Sequence, residues 1–208
     1  MKEKSVLRAE ESISLNSQNF NKIRKLIEEI RLGERDKKKE REKIEKIRKM
    51  CLKVESSFWQ GLFFLEIAKI SKNIEDLNRA KESSLRIIKD SLKDEFSFNL
   101  IKTLLFFKEI EEARKIALEM KDGYLKCLAL LEIAKTSKNN EDLDTVRKIA
   151  EFHNPFLEVI VFTDLFRISK NFKDLKKALR ALLSVEEYLQ NEALSMVINS
   201  MECIYNNN

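Results

Sequence analysis

The sequence is poor in the two residues on which tight turns, sheets and phosphate loops depend: it holds 3 Gly and 1 Pro in 208 residues. Gly gives access to positive φ and Pro fixes rigid turns, so their scarcity argues against sandwiches, barrels and nucleotide-binding loops. Long helices joined by short polar turns remain. The single histidine, His153, stands in the turn-like Phe152-His153-Asn154-Pro155, and no HExxH, GxSxG or Gly-rich phosphate loop occurs.

Cysteines are few and odd in number. Cys51, Cys127 and Cys203 are 76 residues apart each time, without a CxxC pair or a histidine at ligand spacing, which argues against a disulfide framework or a zinc site. Each sits in an apolar helical context and reads as a small core hydrophobe, as expected in a reducing, cytoplasmic setting. Long hydrophobic runs are also missing. The longest stretch without charge, Ser56 to Leu65, covers ten residues, against the roughly 20 that a membrane span needs. Met1-Lys2-Glu3-Lys4-Ser5 leads into charged residues and not into an apolar signal core. The expectation is a soluble cytoplasmic chain that makes no use of a membrane.

What is present is charge and helical periodicity. Apolar residues make up 43% of the chain and charged ones 36%, enough for a core beneath a heavily solvated exterior. A fixed period is the next thing to seek, because a missed repeat misassigns the whole fold. Residues 65–77 (LEIAKISKNIEDL) and 131–143 (LEIAKTSKNNEDL) share 11 of 13 positions at an offset of 66. Residues 163–175 (TDLFRISKNFKDL), a further 32 on, keep Ile168, Ser169, Lys170, Asn171, Asp174 and Leu175. The underlying unit is therefore about 33 residues. The intervening copy, Phe96 to Met120, lacks the Ser-Lys-Asn corner and reads as a degenerate unit with a tighter turn near Lys108 and Glu109. A fainter corner, Ser17-Gln18-Asn19-Phe20, precedes Ile23, Leu26, Ile27 and Ile30.

The corner has a local physical reason. Asn73, Asn139 and Asn171 stand just before apolar-periodic segments, where an Asn side chain accepts from the unpaired N–H groups of a first helical turn. Asp76, Asp142 and Asp174 follow three residues later, the spacing of a capping box, with the acid favoured by the positive end of the helix dipole. Apolar residues keep helical spacing on both sides of the second corner: Tyr124, Cys127, Leu128, Leu131 and Ala134 before it, Leu143, Val146, Ile149 and Ala150 after it. Each such stripe predicts one buried face. Helices this short are marginal alone, so the two of a pair must close on each other and on neighbouring pairs.

Aromatics open the first helices at Phe58, Tyr124, Phe156 and Tyr188, with Pro155 just before one of them at a position where a missing N–H is harmless. They read as a packing seam between units. An aromatic opening, small residues at Ala68, Ala80, Ala113, Ala134 and Ala178, and a unit of about 33 residues together resemble the tetratricopeptide-like superfamily of α-solenoids over most of residues 56–204. That family's Trp-Leu-Gly-Tyr spacing is absent. The resemblance implies an all-α fold of stacked antiparallel helix pairs in a right-handed superhelix, used as a scaffold for protein partners, and it carries no catalytic residue across.

Charge is concentrated in one segment. Residues 34–53 hold ten Lys or Arg against five Asp or Glu. This segment is expected to be a helix with a narrow apolar stripe of Ile44, Ile47, Cys51 and Val54, supported by the i,i+4 pairs Glu34–Lys38, Glu42–Lys46 and Glu45–Lys49. Lys37, Lys38, Lys39, Arg41, Lys43, Lys46 and Lys49 form the candidate basic partner surface. No aromatic lies between Glu34 and Lys53, so base stacking from this segment is excluded.

The expected organisation is an N-terminal part, residues 1–54, holding the basic helix 34–54, followed by a repeat array over 55–208, in one continuous structural unit. The leading functional reading is a non-enzymatic scaffold for a protein or peptide partner, with a homo-oligomer as one form of it. The alternative is a nucleic-acid-associated protein using residues 34–53. Catalytic residues, metal ligands and cofactor are all assigned as none, although a two-carboxylate site among acids such as Glu109, Glu111 and Glu112 is not excluded by spacing.

Overall fold

The computed structural model describes residues 18–33, 36–150 and 154–205, with side chains described as far as residue 202. Among the described residues there are eleven helices and no strand. Residues 18–31 form α1; then follow α2 (Lys37–Cys51), α3 (Ser57–Ser71), α4 (Ile74–Ser84), α5 (Asp90–Phe106) and α6 (Ile110–Glu119). The series continues with α7 (Gly123–Ser137), α8 (Asn140–Ile149), α9 (Pro155–Ser169), α10 (Phe172–Leu182) and α11 (Glu187–Tyr205). No described helix is long and apolar enough to cross a membrane.

The chain divides into two compact units, Met1–Phe107 and Lys108–Asn208. In the first, α3 packs against α2, α4 and α5. There α1 meets α3 through Phe20, whose ring stands edge-on to Trp59 at 5.0 Å and to Phe63 at 5.1 Å. In the second, α7 packs against α6, α8 and α9, and α9 against α10 and α11.

Local chemistry starts these helices where the sequence places them. The Asn73, Asn139 and Asn171 Oδ1 atoms accept from the backbone N–H of Glu75, Glu141 and Lys173 at 2.8, 2.9 and 3.0 Å, each satisfying a donor that the helix itself leaves unpaired. Pro155 opens α9 behind the cap Asn154. Helix ends are less ordinary. Every described non-Gly residue with positive φ is a lysine at an inter-helix corner: Lys72 (54°), Lys108 (65°), Lys138 (57°) and Lys170 (57°). Helices usually reverse here on Gly, which has no Cβ to strain. The turn at Lys108 stands where the degenerate copy was expected to have one, although neither α5 nor α6 has a side-chain cap hydrogen bond. Ser17, the first residue of the faint N-terminal corner, lies outside the described residues; Asn19 is already within α1, whose Ile23, Ile27 and Ile30 are buried.

One expectation is corrected. A single buried face describes the second helix of each pair, as in α10, where Asp174, Leu175, Ala178 and Ala181 are buried. It fails for the first helices. In α3, Phe58, Gln60, Gly61, Phe63, Phe64, Leu65, Ile67 and Ala68 are all buried, because this helix is covered by its own partner α4 and by the neighbouring α2 and α5. A helix enclosed on several sides carries no amphipathic signal. Gly61 marks the tightest approach: a Cβ there would stand 2.5 Å from Phe96 of α5 and 3.1 Å from Ser83 of α4.

The aromatics Phe58, Tyr124, Phe156 and Tyr188 each occupy the second position of their helix. Phe58 is buried, Tyr124 and Phe156 are half-buried and Tyr188 is 77% exposed, so the packing seam fades toward α11.

Candidate functional site

The Ser-Lys-Asn corner is the most elaborate polar arrangement in the molecule, and its aspartates do something other than cap. Asp76, Asp142 and Asp174 are buried, at 1, 3 and 2% exposure. Each accepts from a serine five residues earlier: Ser71 at 2.8 Å, Ser137 at 3.3 Å and Ser169 at 2.8 Å. The serine Oγ in turn accepts from the N–H of Asn73, Asn139 and Asn171, at 3.2, 3.1 and 3.0 Å. Serine thus takes the donor that a capping-box acid would have reached.

The carboxylates are occupied by an arginine from another helix. Arg48 of α2 donates to both oxygens of Asp76, Nε–Oδ1 at 2.8 Å and Nη2–Oδ2 at 2.6 Å. Arg114 of α6 holds Asp142 in the same way at 2.7 and 2.9 Å. Arg147 of α8 holds Asp174 at 3.0 and 2.7 Å. The third guanidinium nitrogen of each binds an acid three residues earlier: Glu45, Glu111 at 2.6 Å and Asp144 at 2.6 Å. The hydrogen bond to the aspartate is the main cause that pushes all three guanidinium groups above the usual arginine range. Two parallel charge-assisted bonds to a buried carboxylate fix orientation as well as distance. Each clasp therefore ties one second helix to the first turn of the next: α2 to α4 within the first unit, α6 to α8 and α8 to α10 within the second. The signal was present in the sequence as an acid-x-x-Arg step 27 or 28 residues before each Asp, too distant for a local motif to reveal.

The basic helix is confirmed in extent from Lys37 to Cys51, with Ile44, Ile47 and Cys51 buried. Val54 lies beyond its end and is half-buried, and Glu34 and Arg35 lie outside the described residues. Of the candidate surface, Lys37, Lys38, Lys39, Arg41, Lys46 and Lys49 are exposed. Lys43 is half-buried and pairs with Glu29 of α1 at 3.0 Å. A cleft of about 590 Å³ runs between α2 and the Ser71-Lys72-Asn73 corner, with Lys37, Arg41 and Lys72 on its walls beside Glu40 and Glu45.

A second surface escaped the sequence reading. In the first unit the helices α1, α3 and α5 present Arg31, Lys69 and Lys102 around the single carboxylate of Glu66, which Arg31 contacts directly and Lys69 approaches at 3.6 Å. Burial, then the neighbouring charges of Arg31 and Lys102, hold Lys69 below the usual lysine range. Trp59 is 44% and Phe106 50% exposed on α3 and α5, and the Lys102 ammonium sits 4.2 Å from the centre of the Phe98 ring. No local motif joins these residues, since 71 positions separate Arg31 from Lys102.

Other candidates carry less. His153 lies outside the described residues, as does the side chain of Cys203. Cys51 and Cys127 are free and buried, and burial pushes both thiols up to about 12. Glu109 and Glu111 are exposed and Glu112 is half-buried. Among the described residues no group of three or more His, Cys, Asp or Glu side chains is placed to hold a metal ion. Compared with protein-family models, curated proteins and solved structures, the chain matches none.

Proposed function

We propose that the protein is a non-enzymatic interaction scaffold of the tetratricopeptide-like kind, built from stacked helix pairs, and that it binds a protein or peptide partner through the first helices of its N-terminal unit. The observation that carries this reading is the exposed face where Arg31, Lys69 and Lys102 surround one glutamate beside Trp59 and Phe106. Aromatic and cationic side chains held on rigid helices are the usual anchors of a partner interface, because they bury much area and pair strongly when desolvated. A surplus of cations over carboxylates selects an acidic segment. The clasps support the reading by fixing the second helices behind this face.

A second reading, nucleic-acid association through α2, is favoured by the exposed Lys37, Lys38, Lys39 and Arg41 along the cleft. Capture from cell extract at about 0.15 M ionic strength separates the two. The scaffold reading expects a polypeptide that is lost with Lys69→Glu and Lys102→Glu together and retained when Lys37, Lys38 and Lys39 become Glu. Retained nucleic acid, abolished by the triple change, gives the answer to the second reading.

A further inference from the structure

The first helices α3, α7 and α9 are all 15 residues long and end in Ser71, Ser137 and Ser169. α11 begins at the same point after its preceding pair but runs for 19 residues. Counted from the helix start, Met201 stands where those serines stand, and Glu202 and Cys203 replace Lys and Asn, so the helix continues where the others turn back. The eighth position is Phe64, Leu130 and Phe162 in the three earlier helices, at 1, 1 and 3% exposure; the twelfth is Ala68, Ala134 and Phe166, at 0, 2 and 2%. In α11 these positions are Leu194 and Ile198, exposed at 42 and 45%, followed by Met201 at 37%.

What covers the earlier pair of positions is the second helix. Arg79 of α4 lies over the Phe64 ring at 5.7 Å, and Lys177 of α10 over the Phe162 ring at 4.9 Å. Phe172 of α10 meets Phe166 at 5.5 Å. Among the described residues nothing does this for Leu194, Ile198 and Met201. Their spacing of four and three is that of a seam for another helix.

We infer that this face of α11 is the contact between two copies of the chain, in which α11 of each takes the place of the missing second helix of the other. Two observations select a second copy over an unrelated helix. The stripe is centred on Ile198, so an antiparallel pair related by a two-fold axis through that residue sets Leu194 against Met201 of the other copy, a self-matching arrangement. The charges also complement: α11 holds Glu187, Glu192 and Glu202 and no Lys or Arg, whereas α10 exposes Lys173, Lys176, Lys177 and Arg180. The Arg147–Asp174 clasp shows that the slot of a second helix lies beside the preceding second helix, so an α11 seated there runs along the cations of α10. The absent clasp fits as well. Eight residues after its cap, where α8 has Arg147, α10 has Leu179, 41% exposed, giving the slot an apolar wall.

Sedimentation equilibrium of the full chain tests this, with Ile198→Glu as the disrupting variant and Leu118→Glu, at a 50% exposed site on α6, as the control. The expected result is a dimer whose affinity falls by at least about 100-fold in Ile198→Glu and is unchanged in the control, with the helical circular dichroism of all three proteins alike. A second measurement guards against misfolding: in a Cys203→Ser background, Ile198→Cys should form an intermolecular disulfide on mild oxidation, and Leu118→Cys should not. A chain monomeric at the highest concentration reached, its α11 left for some other helix, overturns the inference. So does a dimer that survives Ile198→Glu.

Discussion

At the scale of single residues, the lysines at the helix ends are the least expected choice. Left-handed backbone places Cβ against the following carbonyl and costs roughly 1–2 kcal/mol outside glycine. Lys138→Gly removes that strain while giving the unfolded chain more freedom, and the first effect is the larger at a φ of 57°. The expected outcome is a gain of about 0.5–1 kcal/mol in urea unfolding. The buried thiols give a pH dependence of defined sign. Burial pushes Cys51 and Cys127 from 9.0 up to about 12, so folding favours their protonated forms. That contribution is complete below pH 9 and is lost as pH rises through 12. At pH 8 both should resist thiol-specific reagents in the native protein and react on unfolding, which a colourimetric thiol assay reads directly.

At the scale of elements, the sequence displayed the second helices better than the first. α8 and α10 place charge on one side and Leu143, Val146, Leu175 and Ala178 on the other, so periodicity finds them and their asparagine caps mark where they begin. α3 is buried on several sides, and its apolar residues lose their period for that reason. Gly61, one of only 3 glycines, reads as a helix weakener until Phe96 and Ser83 are seen closing on it. In an open helix Gly→Ala gains about 1 kcal/mol; here the added methyl meets a fully buried ring on one side and a neighbouring helix on the other. Gly61→Ala should therefore lower stability by about 1–3 kcal/mol, measured by chemical denaturation. A gain in stability would show that α3 and α5 move apart without penalty.

At the scale of the whole molecule, both units reuse one device, a buried aspartate at the start of a second helix gripped by an arginine of the preceding second helix. The aspartates were legible as part of a recurring corner, but their role was not. Capping chemistry is local and follows from a three-residue spacing, whereas the arginines come from 27 or 28 residues upstream and are recognised only once the helices are side by side. The Trp59 and Lys69 face was hidden for the same reason: its residues are brought together by packing of α1, α3 and α5 and by nothing in their sequence neighbourhood. The corner is accordingly an internal fastening, and partner binding belongs to surfaces the fastening leaves exposed. A double-mutant cycle on Arg147 and Asp174 tests that most directly, with Arg147→Met, Asp174→Leu and the pair compared by urea unfolding. Removing Arg147 alone strands a carboxylate that is 2% exposed, so the account predicts a loss of about 3–5 kcal/mol, most of it recovered in the double variant. Single changes within about 0.5 kcal/mol of the parent, adding independently in the double variant, would contradict it.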